Sequence, residues 1–245
     1  MDFGVLRDDM VDSLEHDTKA VIETPRIADA LRTVPRHTFL DEAHRAYLDK
    51  AFEHWGTRVL APSTVARLLE ALAPTPGDAV LIVGAGVGYT AAAIAEIVGA
   101  RHVHAIDIQR SLVLEARSNL AEAGYRDVLV DRRDGGDGLP EYAPYDRILV
   151  EAAAVDAPAA LRAQLAEDGR LVYPRGTVDQ SLVALTPDGE RRFGPTSFDP
   201  LLVDGEQATA IERNRTVRED RERAERAAES RTGWEQDWID WDGSR

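Results

Sequence analysis

The chain contains no cysteine. That excludes disulfides, thiolate metal sites and cysteine nucleophiles together. Lysine is almost missing as well. Of 29 basic residues only Lys19 and Lys50 are lysines, against 44 Asp plus Glu, for a net charge of −15 over 245 residues. So acidic a chain repels phosphate backbones, and non-specific nucleic-acid binding is disfavoured. Two readings of the charge stay open. The protein is simply acidic, or its surface is adapted to high cytoplasmic salt, where charge is screened within about 3 Å at molar concentrations. The sequence holds no apolar run of about 18 residues, so no transmembrane helix and no membrane contact are expected. The acidic start, MDFGVLRDDMVDSLEHD, lacks the apolar core of a secretory signal. A soluble cytoplasmic protein is the expectation. The six histidines show no metal-binding spacing, and His102 and His104 read as residues at a sheet edge. No metal site is expected.

What is present suits one α/β domain of about 200 residues with an appendage. Residues 1–50 read as helical, with Val5, Leu6, Met10, Val11 and Leu14 at helical spacing. Pro25–Thr33 forms a second helix, with Thr24 as its cap and Pro25 in its first turn. Pro62–Leu72 forms a third. From Ala79 the rhythm alternates. Strands are expected at 79–83, 103–106, 128–130, 147–150 and 170–173, with helices at 89–98, 111–123 and 157–165 between them. Residues 181–185 and 191–193 then read as a hairpin. This pattern predicts a doubly wound, mostly parallel sheet with an antiparallel C-terminal hairpin. A domain over residues 1–205 follows, with a cofactor core at about 62–175. Residues 206–245 read as a charged helical tail. There Trp234, Trp238 and Trp241 share one helical face, which suits docking on the core or self-association.

The chemistry is concentrated in one loop. A buried strand, Val80-Leu81-Ile82-Val83, runs into Gly84-Ala85-Gly86-Val87-Gly88 and then a helix. Glycines let the backbone turn sharply and approach a ligand where a Cβ would collide. A dinucleotide fingerprint spaces its glycines as G-x-G-x-x-G to seat a pyrophosphate. Here the spacing is G-x-G-x-G, which suits S-adenosylmethionine, a cofactor without phosphate whose amino-acid end needs backbone contacts. Asp107 ends the next strand about 20 residues on, where a carboxylate accepts bonds from both ribose hydroxyls; the alternative is a helix cap. Asp134 follows the third strand, beside the expected adenine, with Asp137 as its rival.

These residues belong to a longer pattern. Thr33-Val34-Pro35-Arg36-His37-Thr38-Phe39 resembles the V-P-R-x-x-F segment of protein-L-isoaspartate O-methyltransferases, and Gly56 to Pro62 resembles that family's G-x-T-I-S-x-P loop. The glycine loop, Asp107, Asp134-Gly135, Ala143-Pro144-Tyr145-Asp146, Glu151-Ala152-Ala153-Ala154, Gly169 to Pro174 and Pro200-Leu201…Gln207 follow in the same order. The resemblance covers roughly residues 5–207. It implies a Rossmann-like class I methyltransferase that binds S-adenosylmethionine through Gly84, Ala85, Gly86, Gly88, Asp107, Ile108, Asp134 and Gly135. It also implies methylation of the α-carboxylate of isoaspartyl residues in damaged proteins.

The substrate side departs from the pattern. Leu60 stands where the family has its active-site serine and cannot replace it chemically. Ser63 takes the place of a histidine and is the nearest substitute. Leu202 aligns with a threonine, while Gln207 is kept. Glu151 stands where the family has a small residue. These changes leave two alternatives open: a different methyl acceptor, or a module that binds S-adenosylmethionine without transferring methyl groups.

Overall fold

The computed structural model describes residues 2–16, 18–54 and 57–202. Gln207, the charged tail and its tryptophan stripe lie outside them. Helix α1 spans Phe3–Glu15, opening at Asp2, whose carboxylate accepts the Gly4 N–H at 2.9 Å. It buries Met10, Val11 and Leu14, but Val5 is exposed, so its apolar face is narrower than the spacing suggested. Helix α2 spans Pro25–Thr33 with Pro25 in its first turn. Thr24 sits at the cap position without capping. Its hydroxyl donates to Glu70 at 2.8 Å, and Glu70 also accepts the backbone N–H groups of Glu23 and Thr24.

The expected helical stretch ends there. Residues 36–39 and 43–45 form single 3₁₀ turns, and β1 (Phe52–His54) pairs with β2 (Thr57–Val59) as an antiparallel hairpin. Arg36 ties this region together. Fully buried, it donates from Nε to the Ala46 carbonyl at 2.7 Å and from Nη2 to the Leu60 carbonyl at 2.6 Å. Its guanidinium lies 4.5 Å from the centre of the Tyr89 ring, an attractive cation–π contact. The chain is thereby fixed just before helix α3, Pro62–Leu72.

The alternating part consists of β3 (Val80–Val83), α4 (Tyr89–Val98), β4 (Val103–Asp107), α5 (Arg110–Glu122), β5 (Leu129–Arg132), β6 (Tyr145–Val150), α6 (Ala159–Ala163), β7 (Leu165–Arg175), β8 (Gln180–Thr186) and β9 (Gly189–Thr196). Among the described residues these strands make one seven-stranded sheet in the order β5-β4-β3-β6-β7-β8-β9. Pairing is parallel from β5 through β7 and antiparallel across β8 and β9. Strand β3 is buried throughout. Its Val80 and Ile82 join one core cluster, and Leu81 and Val83 join the other across the sheet. A central parallel strand covered on both faces has to be continuously apolar. The outer strand β9 is largely exposed and charged, Gly189-Glu190-Arg191-Arg192, which discourages edge-to-edge pairing.

The structure departs from the sequence pattern at two further places. Helix α6 stops at Ala163, and β7 begins at Leu165 instead of near Arg170. Gln164 is the reason. Its backbone carbonyl accepts the Tyr145 N–H at 2.9 Å, and its side chain bridges the Leu139 N–H and the Asp137 carbonyl. Leu165 is thereby drawn into register with Tyr145. His104 is not at an edge, because β4 lies between β5 and β3. Its ring stacks on Tyr142 at 4.4 Å. No described helix is long and apolar enough to cross a membrane.

Candidate active site

The chain reverses its direction of winding at β3: β4 and β5 lie to one side, β6 and β7 to the other. Ligands of such sheets bind beyond the C-terminal ends of the strands at this switch point. A cavity of about 590 Å³ opens there, within the usual range for small-molecule sites. Gly84 from the end of β3, Asp107 and Ile108 from β4, and Glu151 and Ala152 from β6 all line it.

The glycine loop adopts backbone angles that side chains disfavour. Gly84 has φ +93° and Gly88, which opens α4, has φ +94°. The N–H groups of Gly84 and Ala85 both reach the Ile106 carbonyl, at 2.8 and 3.0 Å. This draws the loop over the end of β4 and onto Asp107. One Asp107 carboxylate oxygen accepts the Gly86 N–H at 3.0 Å and the other accepts the Gln109 N–H at 2.9 Å. Asp107 is 8 % exposed, and burial raises its pKa, with the backbone N–H groups of Gln109, Gly86 and Ile108 acting in the opposite direction. A carboxylate has about four acceptor positions. The Gly86 and Gln109 N–H groups fill two of them at hydrogen-bond distance and the Ile108 N–H also acts on the carboxylate, so acceptor capacity remains toward the cavity. The helix-cap alternative is not met: the cap position of α5 is Gln109, and Asp107 accepts only that residue's N–H ahead of the helix.

On the opposite wall, Gly135 lies so close to its neighbours that a Cβ would stand 2.5 Å from Val83 and 2.9 Å from Leu201. Only glycine fits without displacing that wall. Gly135 borders the cavity, while the adjacent Asp134 accepts the Gly136 N–H at 2.8 Å. The segment after β9 closes the top. Ala153 donates to the Asp199 carbonyl at 2.8 Å and accepts from the Leu201 N–H at 2.9 Å, which brings Asp199, Leu201 and Leu202 onto the lining.

Glu151 is the unusual member. Its Oε1 is shut off from solvent and has no hydrogen-bond partner. Burial pushes its pKa up to about 8; the Thr90 hydroxyl acts against this and the Asp107 charge adds to it. Its backbone N–H continues the β3–β6 ladder to the Val83 carbonyl at 2.8 Å, so the carboxyl is held beside the glycine loop.

The structure therefore brings Gly84, Asp107, Ile108, Gly135, Glu151 and Leu202 around one cavity. Ala85, Gly86 and Gly88 shape its loop from behind. Leu60 and Ser63 do not line it. Leu60 packs against the core, and Ser63 donates its N–H to Asp49 at 2.9 Å. Sequence reasoning missed Glu53 and Arg58, which the β1–β2 hairpin carries to the cavity, and Ser197 and Asp199. For Arg58 a signal existed: it is a cation inside the loop that resembles the family's serine loop. No group of three or more His, Cys, Asp or Glu among the described residues could hold a metal ion.

Sheet order, antiparallel C-terminal strands and a glycine cradle facing a strand-end carboxylate define a Rossmann-like class I methyltransferase. The chain belongs to the protein-L-isoaspartate(D-aspartate) O-methyltransferase family, whose model matches residues 7–194. It is 42 % identical over 205 residues to the protein-L-isoaspartate O-methyltransferase of Aeropyrum pernix, covering 79 % of this chain and 78 % of that one. To the corresponding protein of Roseiflexus castenholzii it is 43 % identical over 210 residues, covering 82 % and 94 %. A solved protein-L-isoaspartate O-methyltransferase superposes with a TM-score of 0.72 at 25 % identity, over 81 % of this chain and 66 % of that chain. A Plasmodium falciparum beta-aspartate methyltransferase, solved with S-adenosyl-L-homocysteine, shares the fold with a TM-score of 0.70 at 20 % identity, over 80 % and 98 %.

Proposed function

We infer that this protein transfers the methyl group of S-adenosylmethionine to the α-carboxylate of isoaspartyl residues in proteins and peptides. The family match over residues 7–194 carries this reading, and the cavity at the switch point fits the cofactor. Its two special features are a strand-end carboxylate with spare acceptor capacity and an orphaned acidic oxygen. Asp107 would take the ribose hydroxyls. The loop Gly84, Ala85, Gly86 and Gly88 would take the amino-acid end, and Ile108, Asp134 and Gly135 would flank the adenine. Bound there, the cofactor supplies an activated methyl group. The acceptor carboxylate is ionised at neutral pH, so the protein needs no general base. Its task is to hold the acceptor oxygen in line and to exclude water. The roof segment through Leu201 and Leu202 serves the second purpose.

Transfer of labelled methyl to paired isoaspartyl and aspartyl peptides tests this directly. The wild type is expected to modify only the isoaspartyl peptide, more weakly than relatives with the loop serine. Leu60→Ser with Leu202→Thr should raise the rate by roughly tenfold, the worth of one recovered hydrogen bond. Most of that gain should come from position 202, which borders the cavity. No transfer by the wild type or the double variant, with cofactor binding intact, would leave the family's reaction without support here.

We further propose that the protein works in a salt-rich cytoplasm, as the −15 charge with two lysines suggests. Self-repulsion at low ionic strength is relieved by screening. The melting temperature should therefore rise by roughly 5 °C or more between low and molar KCl, about 1–2 kcal/mol for a chain of this size. A flat profile would remove the proposal.

A further inference from the structure

The described lining of the cavity is electrostatically one-sided. It carries four acidic residues, Glu53, Asp107, Glu151 and Asp199, and one cation, Arg58. The acceptor assigned above is itself an anion, and the chain as a whole carries −15. Like charges brought within a few ångströms in a partly dry site repel strongly. A carboxylate acceptor is favoured there where a cation that also donates hydrogen bonds meets it.

Arg58 is placed to do so. It lies on β2 directly opposite Glu53 of β1, and both face the cavity. Its side chain is half-buried, which strengthens its field over that of a free surface arginine. Its guanidinium approaches Asp199 at 3.6 Å, beyond hydrogen-bond distance, and makes no hydrogen bond to any described residue. Arg36, on the neighbouring turn, is different: its guanidinium is committed to the carbonyls of Ala46 and Leu60. Paired with Asp199 but hydrogen-bonded to no described residue, the planar fork of Arg58 matches the geometry of a carboxylate. Leu60 offers no donor; it packs against the core and does not line the cavity.

We propose that Arg58 is the substrate-binding residue that receives and orients the isoaspartyl α-carboxylate through its guanidinium N–H groups, the role for which the family's loop serine is missing here. The proposal rests on the substrate reading given above. No bond is made or broken at Arg58; its N–H groups donate and the carboxylate accepts. Asp199 holds the guanidinium loosely, at 3.6 Å, and yields it to the substrate.

The test reads binding without turnover. The full chain is saturated with S-adenosyl-L-homocysteine and titrated into a fluorescent isoaspartyl peptide and into its carboxamide counterpart, which lacks the charge at that one group. Arg58→Ala should weaken binding of the carboxylate peptide roughly ten- to a hundredfold and leave the carboxamide peptide nearly unchanged. Arg58→Lys should recover part of the loss. Affinity for S-adenosyl-L-homocysteine and the melting temperature should stay at wild-type values. In steady state the loss should fall on KM more than on kcat. Equal weakening of both peptides, or of neither, would overturn the assignment of Arg58 while leaving the isoaspartyl reaction in place. A wild type that neither binds nor methylates the isoaspartyl peptide would overturn the substrate reading, and the Arg58 proposal with it.

Discussion

Asp107→Ala is expected to weaken S-adenosylmethionine binding by roughly a hundredfold or more, because two charge-assisted hydrogen bonds of about 1.5–3 kcal/mol each are lost. The damage is double. The side chain that would face the ribose also holds the Gly86 and Gln109 N–H groups, so its removal loosens the glycine loop as well. Asp107→Asn should separate the two effects. Its remaining oxygen keeps one backbone N–H, and the amide cannot accept from both hydroxyls. An intermediate loss is therefore expected, with a melting temperature near wild type. Calorimetric titration of both variants measures the difference. Wild-type affinity in Asp107→Ala would remove Asp107 from the cofactor site.

That carboxylate is legible in the sequence, and so is the loop that faces it. Both are encoded locally. The turn after β3 needs glycine because Gly84 and Gly88 lie at positive φ, and Asp107 ends an apolar strand whose length sets its position. The parallel order of the sheet was legible for the same reason, in the continuous apolar run of β3. The substrate side was not. Strands β1 (Phe-Glu-His) and β2 (Thr-Arg-Val) are three residues each and mixed in polarity. No alternating pattern marks them, yet they deliver Glu53 and Arg58 to the cavity. Asp199 and Leu201 arrive through backbone pairing with Ala153, some fifty residues earlier in the chain, a contact that no local pattern announces. The end of α6 is not legible because Gln164 is recruited by Leu139, in the loop after β5, and by Tyr145 of β6, both distant from it in the sequence. The family resemblance marked position 60 for function. The structure instead packs Leu60 on the core and sets a cation two residues before it against the cavity.

Wild-type cofactor binding is expected to depend on pH through Glu151, and Glu151→Gln should abolish that dependence. Burial and, behind it, the charge of Asp107 hold the Glu151 carboxyl near pKa 8. At pH 7 it is mostly protonated. The cofactor brings an ammonium and a sulfonium, both cationic, and a nearby cation favours the ionised carboxyl. Binding should then expel a proton from Glu151, and affinity should rise from pH 6 to about pH 8 by up to roughly tenfold per unit. S-adenosyl-L-homocysteine lacks the sulfonium charge and should release fewer protons. The folding side has the opposite sign. A carboxyl whose folded pKa exceeds its unfolded value near 4.3 contributes full stability below that value. This contribution is lost as pH rises through about 8. Glu151→Gln should therefore melt like wild type at pH 4 and above it at pH 9, by an amount on the order of 1–3 kcal/mol, since the carboxyl borders a solvent-connected cavity. Calorimetry in two buffers of different ionisation enthalpy counts the protons. Identical proton release by wild type and variant would show that Glu151 does not titrate on binding, and the orphaned oxygen beside the glycine loop would then need another partner.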